Sequence, residues 1–156
     1  MFNRLRIILL CLAFTIPPYA WGQNQQTDIR PLAHQLVGDE LLKAIEGQTH
    51  DGSYNFDIQG LASQFYEETH HADSRLTYRE SGQVYKGAWI IDNDSLCFFY
   101  DDPGINGGCY RVYRIRNCYY FYNKFRPYVP DEPDRPYWTA RSVIKGDVPE
   151  CEAAVS

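Results

Sequence analysis

Basic residues are in the minority in this sequence, and their shortage excludes one class of partner. The 156 residues contain 15 Lys and Arg against 20 Asp and Glu. Two of the basic residues and none of the acidic ones lie in residues 1–22, so 13 remain against 20 and residues 23–156 carry a net charge of −7. An acidic surface repels phosphate backbones, and no basic stretch interleaved with aromatic residues offsets this repulsion. Nucleic acid is therefore not an expected partner.

The sequence also lacks an apolar run long enough to span a membrane. The longest uncharged apolar run covers residues 7–16, which is too short for a permanent transmembrane helix. This run follows two arginines and precedes two prolines, and Ala20 and Gly22 provide the small residues of a cleavage site. The pattern predicts a secretory signal peptide over residues 1–22. We therefore expect a periplasmic or secreted protein with no transmembrane segment after cleavage.

The short motifs that identify common catalytic sites are missing as well. The chain has no serine, histidine and carboxylate set with a local catalytic signature. Its glycine-rich stretch at 103–108 does not join a strand to a helix, so it is predicted to be a hairpin turn rather than a phosphate-binding loop. We therefore expect neither an enzyme nor a bound cofactor.

Four cysteines follow the predicted signal peptide: Cys97, Cys109, Cys118 and Cys151. None has the C-x-x-C spacing or the nearby histidine of a metal site, and apolar neighbours make Cys97 a poor nucleophile. An even number of cysteines in an exported chain predicts disulfides. Cys97 and Cys109 flank the glycine-rich turn on strands expected to pair, at a cross-strand Cα separation of about 4.5–5.5 Å. This pairs Cys97 with Cys109 and leaves Cys118 for Cys151.

Most of the remaining chain has the pattern of short β-strands. One amphipathic helix is predicted at 39–46, followed by aromatic and β-branched segments separated by turn signals. The candidate strands are 50–56, 61–69, 74–80, 83–92, 95–101, 109–116, 118–124 and 137–144. The sequence offers no helical crossovers, so neighbouring strands are expected to be antiparallel. We predict a mainly β fold, a small antiparallel barrel or strongly bent sheet of about eight strands with one short N-terminal helix.

The length of the chain predicts a single domain. Removing the 22-residue signal from 156 residues leaves 134, enough for one hydrophobic core and too few for two. Residues 23–36 begin with a polar stretch that has no periodicity, and we predict that they form a flexible leader. The expected disulfide-stapled β domain then covers residues 37–156.

Five short motifs in the chain resemble those of one family of small exported proteins of unknown function from alphaproteobacteria and their relatives. The family pattern is a short helix followed by G-x-T-x-x-G, G-x-W, L-C-x-x-Y, C-x-x-V and G-D-x-P-x-C. These motifs begin here at Gly47, Gly87, Leu96, Cys109 and Gly146. The first motif departs from the pattern at Asp51, where the family has an apolar or aromatic residue. The resemblance implies export and a β fold, and it implies no activity.

Residues 67–73 contain the one metal-like cluster of the sequence, with His70, His71 and Asp73 as candidate ligands. On a strand His70 would share a face with Glu68, whereas His71 would point to the other face. Too few ligands would then converge on one ion. The simpler interpretation is the solvated end of a hairpin, and we expect no metal.

A second candidate site lies in residues 81–87, which contain S-G-x-x-Y, a motif of exported inhibitors of c-type lysozyme. The resemblance implies that Ser81 enters the cleft of the enzyme and that Tyr85 supports it, with Gly82 and Lys86 in the same binding loop. The second motif of those inhibitors, Y-x-x-x-T-K-G, is absent from this chain. Inhibition of a foreign enzyme is therefore the alternative function.

The twelve tyrosines of residues 23–156 favour a different function. Tyrosine joins an apolar body to a polar tip, so tyrosines inside a barrel suit a sugar or an aromatic ligand, although they suit a packed core equally well. We predict a binding or envelope-associated module whose partner is a small ligand or an envelope component. A cavity of about 300 Å³ or more would favour ligand binding. A solid core with a protruding 81–87 loop would favour the inhibitor.

Overall fold

The computed structural model describes residues 28–54, 65–124 and 138–151. Within these ranges the chain forms a 3-10 helix (Arg30–Leu32), one α-helix, α1 (Gly38–Ile45), and nine strands. The strands are β1 (His34–Gln35), β2 (Thr49–Tyr54), β3 (Phe65–His70), β4 (Arg75–Glu80), β5 (Gln83–Asp92), β6 (Ser95–Tyr100), β7 (Gly108–Ile115), β8 (Cys118–Asn123) and β9 (Ala140–Ile144). The predicted signal peptide lies outside the described residues.

Eight of these strands close a barrel. From β2 to β9 each strand pairs antiparallel with the next one in the chain, and β9 also pairs with β2. Closure of this up-and-down sheet removes the exposed edges that an open sheet would present. The prediction of a mainly β fold with about eight antiparallel strands and one short helix is confirmed, and the barrel is the correct one of the two architectures considered.

The helix α1 closes one end of the barrel. Its buried residues Leu41, Ala44 and Ile45 belong to the main hydrophobic core, together with residues from the interior of the barrel such as Leu96 and Val112. The charged residues of α1, which are Asp39, Glu40 and Lys43, are exposed, as expected for an amphipathic helix on a core. The helix occupies the predicted position to within one residue, and the interior of the barrel opens at the other end.

Residues 28–36 are part of the fold, so their prediction as the end of a flexible leader is wrong. The strand β1 pairs with β7 through His34 and Arg114. Leu36 is 0% exposed in the core, and its backbone N–H donates to the carbonyl of Val112 at 2.9 Å. A polar segment without periodicity gives no sign of such anchoring, because the contacts come from residues far along the chain.

The two disulfides have the connectivity predicted from the sequence. Cys97 and Cys109 lie directly opposite each other on β6 and β7, with their Cα atoms 4.0 Å apart. Cys118, the first residue of β8, is bonded to Cys151 at a Cα separation of 5.1 Å. The second bond therefore ties the chain beyond the last strand to the barrel wall.

Gly87 lies where β5 and β6 approach too closely for a side chain. A Cβ atom at this position would clash with the carbonyl oxygen of Phe99, and this backbone atom cannot rotate away. We expect Gly87→Ala to lower the free energy of unfolding by about 1–3 kcal/mol through overpacking, measured by urea denaturation. As a control, Gly104→Ala would meet only the movable Asp102 carboxylate at 3.1 Å, so its effect should stay within about 0.5 kcal/mol. Equal effects of the two substitutions would contradict this steric explanation.

Candidate functional site

The interior of the barrel opens, at the end opposite α1, into a cavity of about 550 Å³. Its walls carry five tyrosines and two glutamates, and we call it the tyrosine cup. The tyrosines are Tyr54, Tyr66, Tyr78, Tyr100 and Tyr110, and the glutamates are Glu68 and Glu80. Residues 104–107 of the β6–β7 connection form part of the rim. The cup is therefore built by strands from most of the barrel and by one described loop.

The alternation of strands β3 and β4 places tyrosine and glutamate side by side in the cup. Inward positions recur every two residues along a strand, so Tyr66 and Glu68 share a face, as do Tyr78 and Glu80. The antiparallel register sets Tyr66 opposite Glu80 and Glu68 opposite Tyr78. Each carboxylate therefore has a phenol both along its own strand and across the ladder.

Hydrogen bonds hold the tyrosine hydroxyls in place. Tyr100 Oη donates to Glu68 Oε1 at 2.6 Å, and the hydroxyls of Tyr54 and Tyr78 lie 2.8 Å apart. Burial raises the pKa of the Tyr78 and Tyr100 hydroxyls well above its usual range, and the neighbouring Glu80 and Glu68 carboxylates raise it further. These tyrosines consequently remain neutral phenols, and Glu68 and Glu80 are the acidic side chains among the described lining residues.

Two buried histidines separate the cup from α1. The rings of His50 and His70 are 5.3 Å apart in an edge-to-face arrangement. His50 Nδ1 lies 2.9 Å from Ser142 Oγ, and its Nε2 lies 3.1 Å from the carbonyl oxygen of Ala44. Burial, and to a smaller extent the neighbouring His70, lowers the pKa of His50 to about 3. The neutral Nε2–H form accounts for both contacts, since it donates to Ala44 and accepts from Ser142.

The interpretation of residues 67–73 as the solvated end of a hairpin is wrong for two of its members. Glu68 is 4% exposed and His70 is 0% exposed, because both point into the barrel from β3. His70 Nε2 lies 3.4 Å from Glu68 Oε2, and neither ring nitrogen of His70 makes a hydrogen bond within the described chain. The sequence pattern correctly put these two residues on one face but did not reveal that the face is interior.

The three candidate metal ligands do not come together. His70 lies inside the barrel, whereas His71 Nε2 is 3.0 Å from Thr77 Oγ1 and Asp73 pairs with Arg75 at 2.7 Å. Residues 28–54, 65–124 and 138–151 contain no group of three or more His, Cys, Asp or Glu side chains placed to hold a metal ion.

The four residues of the predicted inhibitory loop do not form one loop. Ser81 and Gly82 make a two-residue turn between β4 and β5, with φ angles of 50° and 78° that suit a tight hairpin. Tyr85 lies in β5, and its ring packs 5.9 Å from that of Tyr78 in the interior. Lys86 is the next residue of β5 and is exposed on the outer face. The turn is therefore short, and half of the motif is part of the barrel wall.

The sequence left open whether the tyrosines line a cup or pack a core, and it did not indicate Glu68 and Glu80 as lining residues. One signal could have found them. The pattern Y-x-E occurs twice, at residues 66–68 and 78–80, in two consecutive predicted strands. In two antiparallel neighbours such a repeat places four polar-tipped side chains on one face of the sheet.

The described residues thus define a closed up-and-down β-barrel with an open cup of tyrosines and carboxylates. No family model matches the chain, and neither a curated protein nor a solved structure matches it significantly. No helix in the described part of the chain has the length and apolar character needed to cross a membrane.

Proposed function

We propose that this is an exported binding protein that holds one small ligand in the tyrosine cup. The cavity of about 550 Å³ is the observation that carries the proposal. Small-molecule sites are concave, occupy about 300–1,000 Å³ and combine aromatic walls with a few polar groups. An eight-stranded barrel has room for packed side chains or for one small ligand. Here the half of the interior next to α1 is packed, while the other half is open.

The alternative function, inhibition of a foreign enzyme through residues 81–87, has less support. A solid core with a protruding loop would have favoured this alternative. The barrel instead contains a cavity, and the turn has only two residues, Ser81 and Gly82. The packing of Tyr85 against Tyr78 in the barrel interior is explained by the fold without a partner enzyme.

Export is supported by the two disulfides and by the signal-peptide pattern of residues 1–22. Disulfides persist in oxidising compartments and are rare where thiols are kept reduced. A periplasmic or secreted location would also place the open cup in contact with molecules of the surroundings. Neither a catalytic group nor a cofactor is needed for this function.

A neutral fluorescent dye, N-phenyl-1-naphthylamine, tests whether the cup binds an apolar molecule. We expect saturable binding of one dye per protein, with a blue-shifted emission because the aromatic walls exclude water. Thr139 lines the cup and is half-buried. Thr139→Trp should fill part of the cavity and weaken dye binding at least about tenfold, which corresponds to about 1.4 kcal/mol.

The matched control is Val84→Trp, which adds the same indole at an exposed position of β5. This variant should bind the dye like the unmodified protein, and circular dichroism should show that both variants keep the β fold. The proposal fails if the dye does not bind saturably, or if Thr139→Trp and Val84→Trp bind it equally well.

A further inference from the structure

The tyrosine cup contains two carboxylates and no basic residue among its described lining. Three basic residues that adjoin lining residues within the strands lie outside the cup. Arg79 Nε pairs with Glu67 at 3.4 Å, Arg111 is exposed, and Arg141 Cζ lies over the ring of Trp138. The nearest imidazole is His70, 3.4 Å from Glu68 Oε2. Even a protonated His70 would balance only one of the two carboxylates.

The described part of the rim at the open end does not balance the two carboxylates. The β6–β7 connection carries Asp101 and Asp102. One exposed lysine, Lys124, follows the lining residue Asn123 at the end of β8. The described rim therefore carries more negative than positive charge, and an anionic ligand would be repelled on entry.

The walls of the cup offer aromatic faces in continuous contact. The ring centroids are 4.9 Å apart for Tyr54 and Tyr66, 5.9 Å apart for Tyr66 and Tyr78, and 5.4 Å apart for Tyr78 and Tyr100. The face of an aromatic ring attracts a cation within about 6 Å, and the attraction grows when the pair is shielded from water. A row of phenol rings beside carboxylates is the combination that stabilises an organic cation.

One further group in the cup lacks a partner. Tyr66 is 8% exposed, and its hydroxyl makes no hydrogen bond to any other residue of the described chain. An ammonium group has N–H donors and no acceptor, so it can donate both to a carboxylate and to the oxygen of this phenol.

We infer that the ligand of the tyrosine cup is a small organic cation, an amine with an aromatic or apolar body. The ammonium group lies among Glu68, Glu80 and the tyrosine hydroxyls, and the body of the ligand packs against the phenol rings. This inference rests on the proposed function, since it names the chemical class of the ligand for the same cavity. A neutral sugar of the same size would leave the carboxylates of the cup without a counter-charge.

Displacement of the bound neutral dye by three molecules of similar shape tests the inference. The competitors are 2-phenylethylamine, protonated at pH 7, its neutral counterpart 2-phenylethanol, and the anion phenylacetate. We expect the amine to bind at least about tenfold more tightly than the alcohol, and phenylacetate to bind more weakly than either. Raising the salt concentration should weaken the binding of the amine and leave the binding of the alcohol unchanged, because only the amine is held by charge.

The variant Glu80→Gln separates charge from shape, since glutamine keeps the size of the side chain. We expect it to weaken the binding of 2-phenylethylamine at least about tenfold more than the binding of the neutral dye, because only the amine is held by charge. The control is Glu67→Gln on the outer face of β3, where Glu67 pairs with Lys145 and Arg79. This control should bind the amine like the unmodified protein.

Each outcome bears on a different claim. Failure of the dye to bind would overturn the proposed function itself. Dye binding in which 2-phenylethylamine competes no better than 2-phenylethanol would leave the cup as a binding site and overturn the inference about its ligand. Equal losses in Glu80→Gln and Glu67→Gln would also overturn the inference, because the effect would then come from the overall charge and not from the cup.

Discussion

Replacing Cys118 and Cys151 with alanine is expected to lower the free energy of unfolding by about 3–4 kcal/mol, measured by urea denaturation. The bond closes a span of 33 residues, so its loss greatly increases the freedom of the unfolded chain. It also fixes Cys151, whose carbonyl oxygen accepts a hydrogen bond from Tyr120 Oη at 2.5 Å. A loss of this size is a large part of the 5–15 kcal/mol that is typical of the net stability of a small domain.

The pair Cys97→Ala and Cys109→Ala provides the comparison. Its bond closes a span of only 12 residues between strands that also pair through their backbones. The chain-entropy argument predicts a loss of about 3 kcal/mol, smaller than that for the other bond.

Non-reducing peptide mapping should recover 97–109 and 118–151 linked peptides. Recovery of a 97–118 or a 109–151 link, or of free thiols, would contradict the strand pairing described above.

The strands and the Cys97–Cys109 bond were predictable because their signals are local, and the Cys118–Cys151 bond then followed as the remaining pair. The alternation in β3 to β8 and the glycine-rich turn between Cys97 and Cys109 lie within short windows of sequence. Two strands joined by a short turn then pair with each other as an antiparallel hairpin. For this reason the predicted strands and the observed ones agree over most of the described chain.

Closure of the barrel and the position of the core residues depend on distant contacts. Whether the sheet closes is decided by the pairing of β9 with β2, through residues such as Ser142 and Gly52 that are far apart in sequence. The anchoring of Leu36 beneath β7 is equally non-local. The interior position of Glu68 and His70 follows only from this closure, since a polar strand face gives no sequence signal of burial. Local patterns thus predicted the elements, and tertiary pairing determined the site.

Lowering the pH from 7 to 4 is expected to remove about 3 kcal/mol of stability through His50 alone. Burial lowers the pKa of this residue to about 3 in the folded state, from 6.5 for an exposed histidine. Between these values the unfolded chain binds a proton that the folded protein does not bind, so the folded state loses about 1.4 kcal/mol per pH unit. The contribution is complete above pH 6.5 and is lost progressively as the pH falls toward 3.

Carboxylates also titrate in this range, so the contribution of His50 is isolated by comparison with His50→Gln. Glutamine has no proton to gain, and it retains a donor and an acceptor for Ala44 and Ser142. We expect the variant to be less stable at pH 7 because the replacement packs less well against His70 and Tyr119. This difference in unfolding free energy should shrink by about 3 kcal/mol on going to pH 4.

The control for this comparison is His34→Gln, which removes an imidazole that is exposed and pairs with Glu40 at 2.7 Å. An exposed histidine keeps its contact with water when charged, so its removal should change stability by no more than about 0.5 kcal/mol at either pH. Urea denaturation of the three proteins at pH 7, 5.5 and 4 measures these differences. A difference between the unmodified protein and His50→Gln that stays constant with pH would mean that His50 gains its proton as readily in the barrel as in water. In that case the packed half of the interior, between α1 and the tyrosine cup, would have to be open to solvent.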